Sequence, residues 1–261
     1  MRRLTLFICL LSIYTMSQAQ DYSIFEKKRI VQGSDTLPYR LLLPENYDPA
    51  KKYPLIFFLH GAGERGNDNE RQLIHGSKLF VKEEVRKNFP AIVVLPQCSK
   101  DDYWSNVIRS IDNNDHISYT FLPGGEPTRA MELLQHLLKF ILEKYPVKKD
   151  QVYIGGLSMG GMGTFELVRR NPGVFAAAFP ICGGAHPSTA TELTKTAWWI
   201  FHGGKDDVVV PGFSEKMVDA LQKAKADVQF TLYPQANHNS WDSTFAEPKL
   251  LPWLFSHHKK S

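Results

Sequence analysis

Short apolar runs alternate with longer amphipathic segments along most of this chain. The runs that have the length and composition of β-strands are residues 24–31, 36–43, 55–59, 91–95, 152–155, 175–179, 197–201 and 228–232. The first two are separated by the turn residues 33–35, which predicts an antiparallel hairpin. The later runs are continuously apolar, which is typical of strands covered on both faces, as in a parallel sheet.

The segments between these runs have helical periodicity. Residues 128–145 carry an apolar residue every three or four positions, and Pro127 suits the first turn of a helix. A second helix is predicted over residues 214–226, with Ser214 as its N-cap, and a third begins after Ser158. Because strands and helices alternate, we expect an α/β fold with a mostly parallel, doubly wound sheet and an N-terminal antiparallel hairpin.

The first nineteen residues differ from the rest and predict a secretory signal peptide. Arg2 and Arg3 precede an apolar stretch over residues 4–14, and small residues precede a cleavage site after Ala19. A membrane anchor is the alternative, but this stretch is shorter than the ~20 apolar residues that cross a bilayer. We therefore expect export to the periplasm or the medium, and a single catalytic domain over residues 20–261.

Composition and charge exclude some classes of partner. The formal net charge of +4 falls to +2 when Arg2 and Arg3 are removed, too little to favour a nucleic-acid partner. Cys98 and Cys182 remain in the mature chain. In a sheet with the usual order of this topology their strands lie three positions apart, about 14 Å at ~4.8 Å per strand, so we expect two free, buried thiols.

Polar residues with catalytic chemistry follow several of the predicted strands. Ser158 lies between Gly156 and Gly160, and residues lacking Cβ at these positions suit a sharp turn from strand to helix. An acid, Asp206 or Asp207, and His238 follow later strands, which is the order serine, acid, histidine. A serine nucleophile needs a base, and the base needs an anion that fixes its tautomer.

The chain resembles α/β-hydrolases of the esterase and prolyl-oligopeptidase-like group over about residues 39–253. It is most similar to exported bacterial proteins labelled phospholipase, carboxylesterase or feruloyl-esterase-like. The motifs that carry the resemblance are residues 60–66 (HGAGERG), 95–98 (LPQC), 156–161 (GLSMGG), 201–206 (FHGGKD) and 238–241 (HNSW). The resemblance implies a serine hydrolase that needs no cofactor.

Site residues follow from the resemblance. It implies that Ser158 is the nucleophile, that His238 is the general base and then acid, and that Asp206 orients the imidazole. Asp206 is favoured over Asp207 because the family places the acid at the fifth position counted from His202, and Asp207 is expected to cap or solvate the next turn.

The remaining groups around the predicted nucleophile have less specific patterns. In this fold the backbone N–H groups of Ala62 and Met159 would form the oxyanion hole. Arg65, Trp104 and Trp241 are candidates for substrate contact, although bracing of the loop by Arg65 and packing of the two indoles are the alternatives. The connection over residues 98–127 is a candidate substrate-covering segment.

His60 and His202 each end a predicted strand immediately before a glycine. A metal site would need several ligands at suitable spacing, so hydrogen-bonded structural imidazoles are the favoured interpretation and no metal is expected.

These observations favour an exported enzyme that hydrolyses carboxylic esters, with acetyl or feruloyl groups on glycans as the suggested substrates. A serine peptidase or acyl-peptide hydrolase is an alternative, because the same triad cleaves amides. A phospholipase-type lipid esterase is another, although no long apolar lid helix is evident. A binding protein on a hydrolase scaffold is disfavoured because all three triad residue types are present.

Overall fold

A computed structural model describes residues 22–111 and 117–259. The strands are β1 (Glu26–Gln32), β2 (Asp35–Leu42), β3 (Tyr53–Leu59), β4 (Ile92–Pro96), β5 (Val107–Ile111), β6 (Ile117–Phe121), β7 (Val147–Leu157), β8 (Ala177–Ile181), β9 (Ala197–Gly203) and β10 (Val228–Tyr233). The α-helices are α1 (Ser77–Val81), α2 (Glu83–Asn88), α3 (Arg129–Lys144), α4 (Met159–Arg170), α5 (Gly212–Lys223), α6 (Trp241–Phe245) and α7 (Leu250–Ser256). The predicted signal peptide lies outside the described residues.

The central sheet has eight strands in the order β1-β2-β4-β3-β7-β8-β9-β10. The pairs β1–β2 and β2–β4 are antiparallel, and every pair from β4 to β10 is parallel. The prediction of a mostly parallel sheet with an N-terminal antiparallel hairpin is therefore confirmed. The carboxyl ends of β3, β7, β8, β9 and β10 lie side by side along one edge, where ligands bind in folds of this kind.

The apolar runs are continuous because helices cover both faces of the sheet. Along β3, Leu55 and Phe57 point into one core and Ile56 and Phe58 into the other, as expected from the two-residue period of a strand. Helices α3, α4 and α5 cover the first face, and α1, α2 and α7 cover the second. In the described part of the chain, no helix is long and apolar enough to cross a membrane.

Two helix boundaries test the periodicity of the sequence. Helix α3 agrees with its prediction, and Thr128 caps it by accepting a hydrogen bond from the Met131 N–H at 3.1 Å. Helix α5 begins two residues earlier than predicted, so Ser214 is not its N-cap. Ser214 is the third residue of the helix and its side chain is fully buried. Its hydroxyl is therefore available to groups other than the helix backbone.

Strands β5 and β6 form a small antiparallel hairpin outside the central sheet, within the connection predicted to cover the substrate. Val107 pairs with Phe121 and Arg109 with Tyr119. The alternation of Ile117, Tyr119 and Phe121 with polar residues is the signal that identifies β6 in retrospect. The two cysteines are free and buried, as predicted, because β4 and β8 are three positions apart.

Candidate active site

The turn from β7 into α4 gives Ser158 an exceptional backbone conformation. Its φ is 53° and its ψ is −115°, a strained combination for a residue with a side chain. The neighbouring glycines are required by close approach, since a Cβ on Gly156 would lie 2.4 Å from the Gly160 carbonyl oxygen. A Cβ on Gly160 would lie 2.0 Å from the Leu59 carbonyl oxygen. This is the geometry of a nucleophile elbow, with the serine at the carboxyl edge of the sheet.

Three side chains from three separate loops meet at this turn. The Nε2 atom of His238 lies 3.0 Å from Ser158 Oγ, and its Nδ1 atom lies 2.8 Å from Asp206 Oδ2. The Asp206 side chain has no exposed surface, whereas the His238 side chain is 20% exposed. The acid is thus shielded from water, and the imidazole remains accessible to a substrate.

The loop after β9 determines which of the two neighbouring aspartates faces His238. Asp206 Oδ1 accepts hydrogen bonds from the backbone N–H groups of Val208 and Val209 at 3.0 and 2.9 Å. Asp207 is exposed, and only its backbone N–H points back toward the site, 3.4 Å from Asn237 Oδ1. The structure therefore places Asp206, and not Asp207, against the imidazole.

Asp206 is held in its ionised form. Burial by itself would raise its pKa, but hydrogen bonds from His202 and His238, the charge of His238 and the Val209 N–H together outweigh that cost. The pKa of Asp206 therefore lies well below its usual range. A permanently ionised carboxylate of this kind keeps the proton of the neighbouring imidazole on Nδ1, which leaves Nε2 free to accept the serine proton.

The backbone groups predicted for the oxyanion hole lie on either side of Ser158. Met159 is the first residue of α4, so its N–H has no partner within the helix. Ala62 opens a short 3₁₀ turn after β3. The loop that carries it packs closely against the elbow, because a Cβ on Gly61 would lie 2.8 Å from Leu157 Cδ1.

The three predicted substrate-contact residues have different environments. Arg65 donates hydrogen bonds to the carbonyl oxygens of Ala62 and Asp102 at 2.9 and 3.2 Å, so it braces the loop after β3. Trp241 is partly exposed, and its ring lies edge-on to that of His238, with 5.5 Å between centroids. It is therefore placed beside the reacting groups.

Trp104 is not placed as expected for a pocket wall. It has no exposed surface, and a Cβ on Gly163 of α4 would lie 2.5 Å from its own Cβ. Its ring packs edge-on against His60, with 5.4 Å between centroids. Trp104 is therefore a core residue between α4 and the end of β3, where an indole is favoured by its large apolar area.

The β5–β6 hairpin packs beside the site. Arg65, after β3, and Arg109, on β5, have their guanidinium carbons 5.9 and 5.6 Å from the centroid of Tyr103. On the other strand, Phe121 packs against Phe213 of α5, with 5.1 Å between centroids. The hairpin thus contacts Tyr103, in the segment after β4, and Phe213 of α5, and a Cβ on Gly184, after β8, would lie 3.1 Å from the Phe121 ring.

Two further residues around the site were missed in the sequence. The His75 ring lies 5.1 Å from that of Trp241, and its Nε2 is 3.9 Å from Glu64 Oε1. Tyr119, on β6, packs against Phe213 with 6.4 Å between ring centroids, and burial, with a smaller contribution from the Asp206 charge, raises its pKa. Both come from segments with no motif of their own, so only the folded chain identifies them.

Within the part of the chain that the structure describes, one group of three side chains meets the spacing of metal ligands. Cys182, Asp206 and His238 offer ligand atoms within 4.8 Å of one another. Burial raises the pKa of the Cys182 thiol well above its usual range, which disfavours the thiolate that binds metals. Asp206 and His238 are hydrogen-bonded to each other, so the group is arranged for proton transfer.

Fold and site together define an α/β-hydrolase. A model of the family described as "Putative esterase" matches residues 34–225, and the chain belongs to this esterase family. It is 24% identical over 212 residues to the "Probable feruloyl esterase C" of Aspergillus terreus, covering 79% of this chain and 70% of that protein. It is 22% identical over 198 residues to a "Probable carboxylesterase" of Oryza sativa subsp. japonica, covering 73% and 83%.

Solved structures agree with this assignment. A thermostable esterase superposes with a TM-score of 0.80 at 30% identity; the alignment covers 91% of this chain and 64% of that one, slightly under two thirds of its length. A ferulic acid esterase from Anaeromyces mucronatus, solved with ferulic acid, has a TM-score of 0.62 at 16% identity. The alignment covers 91% of this chain and 93% of that one. At that identity the second match shows the fold alone. The class is that of carboxylic ester hydrolases.

Proposed function

We propose that this chain hydrolyses carboxylic esters through an acyl-enzyme formed on Ser158. The observation that carries the proposal is the unbroken line of contacts from Asp206 Oδ2 through His238 to Ser158 Oγ, at 2.8 and 3.0 Å. These separations are within the range over which a general base takes a proton. No bound cofactor is needed for this chemistry.

The reaction has two halves in this geometry. Ser158 Oγ attacks the ester carbonyl while its proton moves to His238 Nε2, and the same proton then passes to the departing alcohol. Water then attacks the acyl carbon while one of its protons moves to Nε2, and that proton passes to Ser158 Oγ as the bond between Oγ and the acyl group breaks and the acid leaves. Asp206 stays ionised throughout and stabilises the imidazolium that forms in each half.

The oxyanion of each tetrahedral intermediate would be bound by the N–H groups of Ala62 and Met159. The support is their position on the two segments that flank Ser158 and the close packing between those segments. Loss of one such donor typically costs ~3–4 kcal/mol of transition-state stabilisation. Side-chain substitutions at these two positions would not remove the donors, because the backbone supplies them.

The proposed substrates are acetyl or feruloyl esters, including those attached to glycans. The names of the feruloyl esterase relative and of the solved ferulic acid complex support the feruloyl group. Aromatic residues around the site, Trp241 on one side and Tyr119 on the hairpin, would suit a planar acyl group.

We also propose that the protein acts in the periplasm or outside the cell, after removal of residues 1–19, as one catalytic domain. The support is the sequence of that segment, in which Arg2 and Arg3 precede an apolar stretch and small residues. Mass spectrometry of the protein recovered from the expressing cells would test this, with Gln20 as the expected first residue. An intact N-terminus on the exported protein would contradict it.

A fluorophosphonate probe tests the nucleophile. The wild-type protein should be labelled on Ser158, and Ser158→Ala should not be labelled. Ser188→Ala is a matched control at an exposed serine and should be labelled like the wild type. Equal labelling of Ser158→Ala and the wild type would overturn the assignment.

The same preparations define the substrate. Nitrophenyl acetate and methyl ferulate should be hydrolysed by the wild type, and aminoacyl nitroanilides should be hydrolysed far more slowly. Faster cleavage of the nitroanilides would reassign the enzyme to the peptidases.

A further inference from the structure

His202 is a buried imidazole at the end of β9 that the mechanism above does not use. It has no exposed surface, and it lies four residues before Asp206 in the chain. A buried imidazole next to an ionised carboxylate must have its hydrogen-bonding groups matched to its neighbours, because unmatched polar groups are costly away from water. The positions of its neighbours therefore define what each of its nitrogen atoms does.

The Nε2 atom of His202 faces two hydrogen-bond acceptors. It lies 2.7 Å from the Val209 carbonyl oxygen and 3.3 Å from Asp206 Oδ2. Neither a carbonyl oxygen nor an ionised carboxylate can donate, so Nε2 must carry a hydrogen. The Nε2–H donates to the nearer oxygen, that of Val209, and Asp206 Oδ2, the same oxygen that accepts from His238, lies beside this hydrogen bond at ion-pair distance.

The other nitrogen, Nδ1, is 2.7 Å from the Ser214 hydroxyl, which is itself 2.9 Å from the Gly183 carbonyl oxygen. A hydroxyl has one proton, so two arrangements satisfy this chain. Ser214 can donate to Nδ1 of a neutral imidazole, or it can donate to Gly183 while Nδ1–H donates to the hydroxyl oxygen. Both arrangements leave a hydrogen on Nε2, next to Val209 and Asp206.

We propose that His202 is a positioning residue for the catalytic acid, holding Asp206 Oδ2 in line with His238 through its Nε2–H. The proposal rests on the function assigned above to Ser158, His238 and Asp206. Oδ1 is fixed by the backbone of Val208 and Val209, and His202 supplies the second restraint, on Oδ2. Without that restraint the Asp206 carboxylate would interact more strongly with the His238 imidazolium.

The effect should be visible in the pH dependence of kcat/KM. A carboxylate with one donor fewer binds the His238 imidazolium more strongly, so the acidic limb of the profile should move to higher pH. Among the described residues, Cys182, after β8, and Tyr119, on the hairpin, are also close enough to Asp206 for its charge to act on them. Burial raises the pKa of both, so both stay neutral across the acidic limb.

Two amide substitutions separate positioning from packing. In His202→Gln the amide nitrogen reaches the place of Nε2 and can still donate to Asp206, whereas in His202→Asn it reaches only the place of Nδ1. We expect His202→Asn to lower kcat about 10- to 100-fold with little change in KM. This is the loss typical when a residue that orients a metal ligand is removed, and His202 would orient Asp206 in the same way. We expect His202→Gln to stay within about threefold of the wild type.

The pH profile decides the outcome. The acidic limb of His202→Asn should lie about half a unit or more above the wild type, and that of His202→Gln should coincide with it. Equal shifts in both variants, or no shift in either, would overturn the proposal. His60→Gln is the matched control, because His60 is also a buried histidine at the end of a strand and its two nitrogens are hydrogen-bonded to the backbone of Gly61 and Cys98.

Two further measurements keep the result interpretable. Fluorophosphonate labelling of His202→Asn at Ser158 would show that the proposed function stands even if the positioning role fails. If His202→Asn does not fold, Ser214→Ala takes its place, since it removes the Nδ1 partner and keeps the Nε2–H. Its acidic limb should match the wild type, and a shift of half a unit would overturn the proposal.

Discussion

The ends of β3 and β9 look alike in the sequence and differ in the folded protein. Each is a buried apolar run that leads directly into a histidine and a glycine, His60-Gly61 just after β3 and His202-Gly203 as the last two residues of β9. At the end of β3, the His60 Nε2 accepts from the Cys98 N–H at 2.9 Å, so its Nδ1–H donates to the Gly61 carbonyl oxygen at 2.6 Å. At the end of β9, His202 faces Asp206.

The segments that pack against each imidazole explain why His60 and His202 have different partners. β3 lies between β4 and β7, so His60 faces the backbone that leaves β4, and its two nitrogens connect one loop to another. His202 faces the segment that follows its own strand, where Nε2 lies next to Val209 and Asp206 and Nδ1 next to Ser214. The same dipeptide thus anchors two loops to each other at His60-Gly61, and at His202-Gly203 it lies next to the catalytic acid. The identity of the neighbour, and not the motif, decides which.

The largest effect is expected at the end of β9, where two adjacent aspartates differ in burial. Asp206→Asn should lower kcat by about 10⁴-fold, because a neutral amide no longer fixes the imidazole tautomer or stabilises the imidazolium. Asp207→Asn, at the exposed neighbour, should stay within a factor of two. Steady-state hydrolysis of nitrophenyl acetate measures both. A comparable loss in the two variants would remove the distinction between them.

An intermediate effect is expected at the end of β3, where His60 should make the free energy of unfolding depend on pH. Burial, with a smaller contribution from the Arg65 charge, lowers the pKa of His60 from 6.5 to about 4. The unfolded chain therefore takes up a proton near pH 6.5 that the folded chain takes up only near pH 4, so stability falls as the pH is lowered across that window. In the wild type this group should remove about 2–3 kcal/mol between pH 7 and pH 4.5.

Urea unfolding at the two pH values isolates this contribution. His60→Gln lacks the titrating group, so its stability should fall less than that of the wild type over the same interval. His258→Gln is the control at an exposed histidine and should follow the wild type. An identical pH dependence in His60→Gln and the wild type would show that His60 is not a buried neutral imidazole.

The smallest effect is expected from the cations beside the two strand ends, Arg65 after β3 and Lys205 after β9. Arg65→Met removes the hydrogen bonds that brace the loop carrying Ala62 and should lower kcat about three- to tenfold, the equivalent of about one hydrogen bond. Lys205→Met, at an exposed position after β9, should leave kcat unchanged within error. Initial rates at saturating substrate are sufficient. If Lys205→Met lost more kcat than Arg65→Met, catalysis would depend on the cation after β9 and not on the one after β3.

Much of the fold was predictable because its signals are local. Burial of a parallel sheet on both faces requires uninterrupted apolar runs, as in β3, and an amphipathic helix requires one apolar stripe, as in α3. The β5–β6 hairpin was not predicted, because its apolar residues are few and partly exposed. Ser214 was predicted as an N-cap from its residue type, but the helix begins two residues earlier and the hydroxyl binds His202.

The sequence by itself determined the alternation of strands and helices and the set of residues from which the site is built, and the resemblance of its motifs to α/β-hydrolases gave the esterase class. The alternation and the candidate residues follow from apolar periodicity and from residue types at strand ends, which are local. Only the tertiary structure decided that Trp104 is buried in the core, that Trp241 lies beside His238, and that His202 faces Asp206 while His60 does not. The surroundings of Trp104 come from elements far apart in the chain, whereas the other two contacts depend on how an irregular loop turns back on itself. Neither situation leaves a periodicity to detect.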